Sequence, residues 1–524
     1  MRQAAFCFES PNVASPKQEH DPTVPRFREG HSEQLFVGNT KLSRYLHERK
    51  FGFVLDLQKF FLDYDYSCFI TAYSPEGRPA IHPRIILGLI IYGILMKQSS
   101  LRELENLSIR DIGAWWMCGG LQPDHSTIGK FLNQHSRVLS EDFFSAVTRQ
   151  IVHKLKLCPT DVAGDGTVIE AAASRYKVLQ AEAALEAAKE AAIETSMHPK
   201  DVALKARAER FSRIADIVKE KQVQFKQWGK APEDVCVCST EPDAIVQPLK
   251  NKTKRPSYKP SILADENRLI VGSYLHSTNE SVAIAPMLEQ HHKIYGQLPQ
   301  CTLLDAGYHN IEVLNHFATL ELDVLCPQGS VDKTDGWAKQ SHTGLYPKSA
   351  FQYDEVNDIY ICPERQRLER KSKGLDRTGM RYINYKTPAC LTCPVLGLCT
   401  KSKIGRIIRR FDGEAVKEAM TQVLKHPKAK QRYRKRQAIV EPVFAELKER
   451  QGLKRFRRKG LAKVKIEFAL HCVAYNLKRA SSLSAGAFVV IFPQYYRKNR
   501  GPWEILNTGF LIYSFPMDST LTRF

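Results

Sequence analysis

Three acidic residues, Asp165, Asp305 and Glu441, could together bind metal ions against a phosphate group. Glu441 lies in a very basic stretch, residues 425–465, where sixteen Lys or Arg and three Glu give a charge of +13. Such a surface attracts a polyanion, and a carboxylate adds nothing to phosphate binding unless it holds a cation. Taken alone, however, Glu441 is more simply interpreted as an exposed residue of a salt-bridged helix.

Asp165 and Asp305 each lie where a short apolar segment meets a glycine-containing turn. The segments are VAGDGTVIEAAAS for Asp165 and CTLLDAG for Asp305. Catalytic groups in open α/β sheets collect at the carboxyl ends of strands, and Asp305 is predicted to occupy such an end. Asp165 by itself could equally serve the turn.

The elements that would position these residues predict an α/β domain. After the strand at Asp165, the patterns indicate two strands, a helix, a strand, a helix and a further strand: YKPSILAD, LIVGSYLH, SVAIAPMLEQHHKIYG, CTLLDAG, NIEVLNHFATLEL and DVLCP. Followed by a helix with Glu441, this order is that of the ribonuclease H-like fold, which brings three carboxylates around two divalent ions. Two ions about 4 Å apart can activate an attacking oxygen and stabilise a leaving one, and Mg²⁺ suits carboxylate ligands.

A polar, turn-rich segment with four cysteines interrupts this pattern. The cysteines are Cys362, Cys390, Cys393 and Cys399, the last three in CLTCPVLGLC. Four thiolates can hold Zn²⁺ tetrahedrally, and a segment without an evident apolar core would gain from a metal. Free buried thiols are the alternative. Because no secretory signal pattern precedes the thirteen cysteines, we expect a reducing compartment rather than disulfides.

The N-terminal part predicts a small helical domain. The segment 82–97 is apolar nearly all round, Ser100 and Glu103 have capping-box spacing, and Asp124 or Ser126 is expected to cap a last helix running through PDHSTIGKFLNQHSRVL. That helix would bury Ile128, Phe131 and Leu132. Its predicted outer face is polar and basic: Lys130, Asn133, Gln134 and Arg137. A DNA-binding helix-turn-helix and a plain helical domain explain this pattern equally well.

These patterns divide the chain into six predicted parts. They are a disordered N-terminus (1–35), a helical DNA-binding domain (36–157), a first catalytic part with a helical insertion (158–328, insertion 175–230), a Cys-rich insertion (329–410), a second catalytic part with the Glu441 helix (411–483) and a tail of unknown role (484–524).

Composition and charge favour nucleic acid as the partner. The 524 residues carry a net charge of +21 with a pI near 9.3, and 43% of them are hydrophobic, as in ordinary globular proteins. The longest apolar run, residues 85–96, is too short to span a bilayer. We therefore expect a cytoplasmic, nucleoid-associated protein without a membrane partner.

The ordered set of motifs over about residues 35–480 resembles the DDE-type transposases of bacterial insertion sequences, in the group with a cysteine-rich insertion before the glutamate. The matching motifs are GRPAIHPRIILGLIIYG, SSLRELE, PDHSTIGKF, DGTVIEAAAS, STEPDA, LLDAGYHN, the cysteine segment, and YRKRQAIVEPVFAELK with AYNLKR.

The resemblance implies roles for particular residues. Asp165, Asp305 and Glu441 match the three catalytic acids, which would bind Mg²⁺ or Mn²⁺. A second set, which would orient DNA, resembles the residues that accompany the glutamate: Tyr433, Arg436 and Lys448. Four residues separate Arg436 from Glu441 where the commonest signature has three.

The implied activity is cleavage at the terminal inverted repeats of the element and strand transfer to target DNA, by a homo-oligomer. A ribonuclease H-like nuclease without strand transfer and an inactive, transposase-derived DNA-binding protein are the alternatives. Locally, Val440, Val443, Phe444 and Leu447 are predicted to form the buried stripe of the Glu441 helix. Pro442 would either begin that helix or kink it.

Overall fold

The computed structural model describes residues 23–227, 231–249, 253–276, 280–328, 345–376 and 379–484. The chain divides into two units, residues 1–480 and 481–524, and only residues 481–484 of the second are described. The predicted tail therefore lies outside the described residues except for Ser484. No helix within the described ranges is long and apolar enough to cross a membrane.

The N-terminal region consists of short helices and four two-residue strands. In order they are β1 (Phe27–Arg28), β2 (Phe36–Val37), β3 (Thr40–Lys41), α1 (Leu42–Glu48), α2 (Phe53–Leu62), α3 (Ser67–Ile70), β4 (Ala80–Ile81), α4 (Pro83–Leu95), α5 (Leu101–Arg110), α6 (Ile112–Cys118), α7 (His125–Gln134), α8 (Ser136–Glu141) and α9 (Phe143–Lys154).

Local sequence signals set the ends of these helices. The predicted capping box begins α5: Ser100 Oγ accepts the Glu103 N–H, and the Glu103 carboxylate accepts the Ser100 N–H. Helix α6 ends at Gly119, whose φ of +57° favours glycine. A Cβ at Gly119 would also lie 2.3 Å from the carbonyl carbon of Gly30, so two constraints require glycine there.

Helix α7 follows the prediction except at its C-terminus. Asp124 is the N-cap and accepts the Thr127 N–H at 2.7 Å. The predicted inward residues are buried: Ile128, Phe131 and Leu132. The helix ends at buried His135, which packs against the Phe131 ring. Arg137 therefore lies in α8 rather than in one continuous helix with Lys130.

The first described residues differ from the disorder predicted for residues 1–35. Strand β1 pairs in parallel with β4, more than fifty residues later. Ser32 is buried, and its hydroxyl donates to the Trp116 carbonyl at 2.7 Å. A two-residue strand has no periodicity of its own, and its partner lies far along the chain, so local sequence could not reveal it. Residues 1–22 lie outside the described residues.

The next region combines one large sheet with helices. Its elements are β5 (Val162–Gly166), β6 (Ile169–Glu170), β7 (Val178–Gln180), α10 (Ala181–Met197), α11 (Val202–Gln227), β8 (Cys236–Cys238), β9 (Ile245–Pro248), β10 (Lys254–Asp265), β11 (Ile270–His276), α12 (Ile284–Tyr295), β12 (Cys301–Leu303), α13 (Ile311–Thr319) and β13 (Asp323–Leu325).

The large sheet has the strand order β11–β10–β5–β12–β13, and β6 and β9 pair with the beginning of β10. Strand β10 runs antiparallel to both β11 and β5, whereas β12 runs parallel to β5 and β13. Helices α10 and α11 lie in the predicted helical insertion and form a hairpin. They pack with β7 and β8 through a small apolar cluster: Ala181, Ala184, Ile214, Val218, Val235 and Val237.

The cysteine segment forms a second sheet, with strands in sequence order and all antiparallel. Its elements are β14 (Gln352–Asp354), β15 (Ile359–Ile361), β16 (Arg367–Leu375), β17 (Arg381–Lys386), α14 (Leu396–Cys399) and β18 (Ile408–Phe411). Contrary to the sequence-based expectation, it has a core of buried residues, three of them aromatic: Ala350, Phe351, Tyr360, Leu368, Tyr385, Cys399 and Ile408. Residues 329–344 lie outside the described residues.

Three helices end the described chain: α15 (Glu414–Val423), α16 (Pro427–Ala445) and α17 (Leu461–Ser484). A π-helical turn, Glu446–Arg450, continues α16 directly. In α17, Asn476 is fully buried and its amide binds both backbone groups of Ile270 in β11, each at 2.8 Å. The same amide donates to the Thr148 hydroxyl of α9 at 3.0 Å. Asn476 thus takes the place of a neighbouring strand at this position.

Replacing Asn476 with Ala should leave the Ile270 backbone groups unpaired in the interior. We expect the free energy of unfolding to fall by about 2–4 kcal/mol, since each buried unpaired group costs about 1–3 kcal/mol. Urea unfolding followed by circular dichroism measures this. Asn315→Ala, at an exposed position of α13, is the control and should change stability by less than about 0.5 kcal/mol. Equal effects of the two substitutions would contradict this role for Asn476.

Candidate active site

The sheet brings Asp165 and Asp305 side by side. Strands β5 and β12 are parallel neighbours in which Leu303 pairs with Ala163. Asp305 and Asp165 each lie two residues beyond this pair, so their side chains leave the sheet on the same face. The Asp305 side chain is 54% exposed and that of Asp165 is 26% exposed. Both carboxylates are thus accessible at the carboxyl ends of neighbouring strands.

One buried guanidinium lies between these two carboxylates. Arg436 of α16 is only 7% exposed. Its Nη2 lies 3.0 Å from Asp165 Oδ1, and its Nη1 lies 3.9 Å from Asp305 Oδ1. Its Nε donates to the Gly164 carbonyl at 3.2 Å. Arg436 therefore offsets part of the negative charge of the two acidic side chains and binds the strand that carries one of them.

Two further side chains hold α16 against the sheet. Arg432 forms a bidentate pair with buried Asp161, just before β5, at 2.6 and 2.8 Å. The Tyr433 hydroxyl donates to the Leu304 carbonyl, next to Asp305, at 3.2 Å. Burial raises the pKa of Tyr433 to about 12, so the hydroxyl keeps its proton for this bond. These contacts fix the helix that carries Glu441.

Helix α16 neither begins at Pro442 nor breaks there; it begins at Pro427 and continues past Pro442. A proline inside a helix leaves the carbonyl four residues earlier without its N–H donor. Here Arg268, in the β10–β11 turn, donates from Nε to that carbonyl, Ala438, at 3.1 Å. Glu441 lies beside this point and is exposed. The predicted buried stripe is confirmed: Val440, Val443, Phe444 and Leu447.

Lys448 lies in the π-helical turn after α16. Its ammonium group donates to the hydroxyl of Thr167, two residues after Asp165. Such turns frequently occur at functional sites. Lys448 is half-buried and thus bound to the same loop as one of the predicted acids.

Part of the basic stretch binds the protein itself rather than facing solvent. Arg455 donates to the carbonyls of Ala171 and Ala173, and Arg457 pairs with Glu103 at 2.7 Å. Four more basic residues of this stretch also bind other parts of the chain: Arg432, Lys435, Arg436 and Lys448. The exposed face of α16 is different: Lys430, Arg434 and Glu441 follow each other at spacings of four and seven residues.

Several predicted site residues are not brought together. In the described part of the chain, no three His, Cys, Asp or Glu side chains are placed to hold a metal ion, so Asp165, Asp305 and Glu441 do not form a ready ligand set. The four predicted cysteines do line one cavity, in the second sheet. Lys130 and Arg137 are exposed on the N-terminal helices.

Two family models match the chain. Residues 361–481 match a Transposase DDE domain, and residues 47–134 match a Transposase domain (DUF772). The chain is a DDE-type insertion-sequence transposase. No curated protein matches it. The transposase binds DNA and catalyses its cleavage and strand transfer, and DDE transposases generally use divalent metal ions.

The matched ranges include only part of the predicted site. Glu441 and the four cysteines lie within residues 361–481, and α7 with Lys130 lies within residues 47–134. Sequence reasoning missed Arg432, Arg268 and Asn476. The sequence contains a signal for two of them. Pro442 leaves the Ala438 carbonyl in need of a donor, which Arg268 supplies, and an asparagine in an apolar helix, such as Asn476, needs polar partners.

Proposed function

We propose that Asp165, Asp305 and Glu441 are the metal-binding catalytic residues of this transposase. The position of Arg436 supports this proposal. Arg436 ion-pairs with Asp165 and Asp305, and it lies in the same helix as Glu441, five residues earlier. A cation already lies between the two aspartates, and their carboxylates are the ligands that Mg²⁺ prefers. The residues therefore fit a divalent ion, with Mn²⁺ as a substitute.

We also propose that the catalytic domain is ribonuclease H-like. The order β11–β10–β5–β12–β13 supports this, with three antiparallel strands followed by two that run parallel to β5. The catalytic domain would comprise residues 158–328 and 411–483, with the helical hairpin and the cysteine sheet as insertions. Residues 36–157 would form the DNA-binding domain, in which exposed Lys130 and Arg137 contact DNA.

The proposed chemistry is two in-line displacements at phosphorus. Water attacks a phosphodiester at the element end and frees a 3′-hydroxyl, which then attacks target DNA. Bound divalent ions would lower the pKa of the attacking group and stabilise the leaving oxygen. The chain's own residues orient the reactants: Arg436 and Tyr433 position the two aspartates and the strand ends. Lys448, bound beside Asp165, is positioned to contact a phosphate next to the scissile bond.

These contacts change the role proposed for two residues. Tyr433 and Arg436 were expected to orient DNA, but the hydroxyl and the guanidinium both bind the sheet. We assign them the positioning of Asp305 and Asp165. Direct phosphate contacts fall instead to the exposed face of α16, where Lys430 and Arg434 lie on the side of Glu441. We also propose a homo-oligomer, because two element ends must be held together for strand transfer.

Asp305→Asn should abolish Mg²⁺-dependent strand cleavage, because it removes a ligand charge while keeping the side-chain volume. We expect a rate at least about 10²-fold lower, with DNA binding nearly unchanged. Cleavage and joined donor–target products are measured on labelled element ends. Asp216→Asn, at an exposed position of α11, is the control and should cleave normally. Cleavage by the Asp305 variant at the control rate would rule out the assignment.

Arg436→Ala should leave two neighbouring carboxylates without their cation. We expect the variant to unfold at a lower temperature than the parent protein without metal, and Mg²⁺ or Mn²⁺ to raise its unfolding temperature more than that of the parent. Thermal unfolding with and without each ion measures this difference. Arg434→Ala, exposed on the same helix, is the control. An equal metal response of the Arg436 variant and the parent would contradict a metal site at Asp165 and Asp305.

Replacing both Lys430 and Arg434 with Ala should weaken DNA binding and its dependence on salt. Each lost phosphate contact reduces the magnitude of the slope of log K against log[salt] by about 0.9. The slope of the double variant should therefore be smaller in magnitude by up to about 1.8. Binding is measured by fluorescence anisotropy at several salt concentrations. Lys293→Ala, exposed on α12, is the control. An unchanged slope in the double variant would place the DNA elsewhere.

A further inference from the structure

The second sheet gathers four reduced cysteines around one cavity. Cys362, Cys390, Cys393 and Cys399 all line it, and none forms a disulfide. They come from three separate places: the turn after β15, the helical turn after β17, and the end of α14. Thiols so far apart along the chain converge here because the sheet folds them together, which their spacing alone could not establish.

The turn at Cys362 already holds its sulfur as an acceptor. The Gln366 N–H donates to Cys362 Sγ at 3.3 Å, and the Cys362 N–H donates to the Gln366 carbonyl at 3.0 Å. Arg365 closes the turn with a positive φ of 58°. This tight turn therefore fixes the position of the Cys362 sulfur at the cavity.

The second pair of cysteines has the spacing and the turn of a two-ligand loop. Cys390 and Cys393 lie three residues apart, and the Cys393 N–H donates to the Cys390 carbonyl at 3.3 Å. Gly405 has a φ of +87°, and a Cβ there would lie 2.7 Å from Cys390 Cβ. A glycine in the following loop thus lets the backbone pass close behind this ligand pair.

A basic side chain lies beside the cluster. Arg406 Nε is buried and has no hydrogen-bond partner within the described residues, while its Nη1 donates to the Cys399 carbonyl at 3.3 Å. Four thiolates around one divalent ion carry a net charge of about −2, which the half-buried Arg406 side chain would partly offset.

We propose that Cys362, Cys390, Cys393 and Cys399 bind one structural Zn²⁺ ion. Four thiolates satisfy its tetrahedral preference and leave no open position for catalysis. In the described residues no three His, Cys, Asp or Glu side chains are placed to hold a metal ion. The four cysteine side chains therefore have to turn towards the cavity when the ion binds. The ion joins the β15–β16 turn to residues 388–399, adding a cross-link to a small core. It is independent of the proposed acidic site.

The decisive measurement is the metal content of the full-length protein, purified under reducing conditions, by inductively coupled plasma mass spectrometry. We expect about one zinc per chain. Cys393→Ser should bind little or none, whereas Cys393→His, which keeps a ligand, should retain zinc. Cys158→Ser is the control, because Cys158 is exposed and lies outside the cavity. Asp305→Asn should also retain its zinc.

A second measurement keeps the proposal testable if the serine variant folds poorly. Replacing zinc with Co²⁺ in the parent protein should give the intense visible bands of tetrahedral thiolate coordination. Removing the metal with a chelator should lower the unfolding temperature of the parent but leave the catalytic domain folded. Absence of stoichiometric metal in the parent, iron instead of zinc, or equal zinc loss in the Cys158 variant would each overturn the proposal.

Discussion

The position of α16 on the central sheet depends on two guanidinium–carboxylate pairs at the two ends of β5. Arg432 binds Asp161 before the strand, and Arg436 binds Asp165 near its end. A charge buried this deeply destabilises the fold unless it is paired and hydrogen-bonded. Arg436 meets that condition through Asp165 and the Gly164 carbonyl. The helix can therefore lie in only one register, and that register determines where Glu441 projects.

The C-terminal part of α16 departs from regular helix in two places, and each departure is compensated from the outside. Pro442 leaves the Ala438 carbonyl without its donor, and Arg268 supplies one. In the π-helical turn that follows, Glu446 pairs with Lys478 of α17. The segment around Glu441 is thus held on both sides by side chains of neighbouring elements. A catalytic residue in the proposed site gains from this, because its backbone does not have to order when substrate binds.

Local patterns predicted five of the seven strands of the central sheet (β5, β10, β11, β12 and β13), the capping box of α5, the Asp124 cap and the buried stripe of α16. Each of these depends on residues within a few positions of each other. What they could not predict was the partners of the basic residues. Arg436 and Arg455 bind segments more than 250 residues earlier in the chain, so their charges are used internally although their sequence context resembles that of exposed lysines. The aromatic core of the cysteine sheet was missed for a similar reason, since isolated tyrosines in polar strands give little apolar signal.

The buried position of Arg436 has a consequence for how a divalent ion could enter the proposed site. The guanidinium reaches Asp165 at 3.0 Å but Asp305 at only 3.9 Å, so the second carboxylate is held by charge rather than by a hydrogen bond. Asp305 is also the more exposed of the two. An incoming ion can therefore bind Asp305 without displacing Arg436, whose bonds to Asp165 and Gly164 would keep the strand and the helix in place. Glu441 lies in that same helix, so in the proposed site the bonds of Arg436 would keep its backbone on the strand that carries Asp165 while an ion binds.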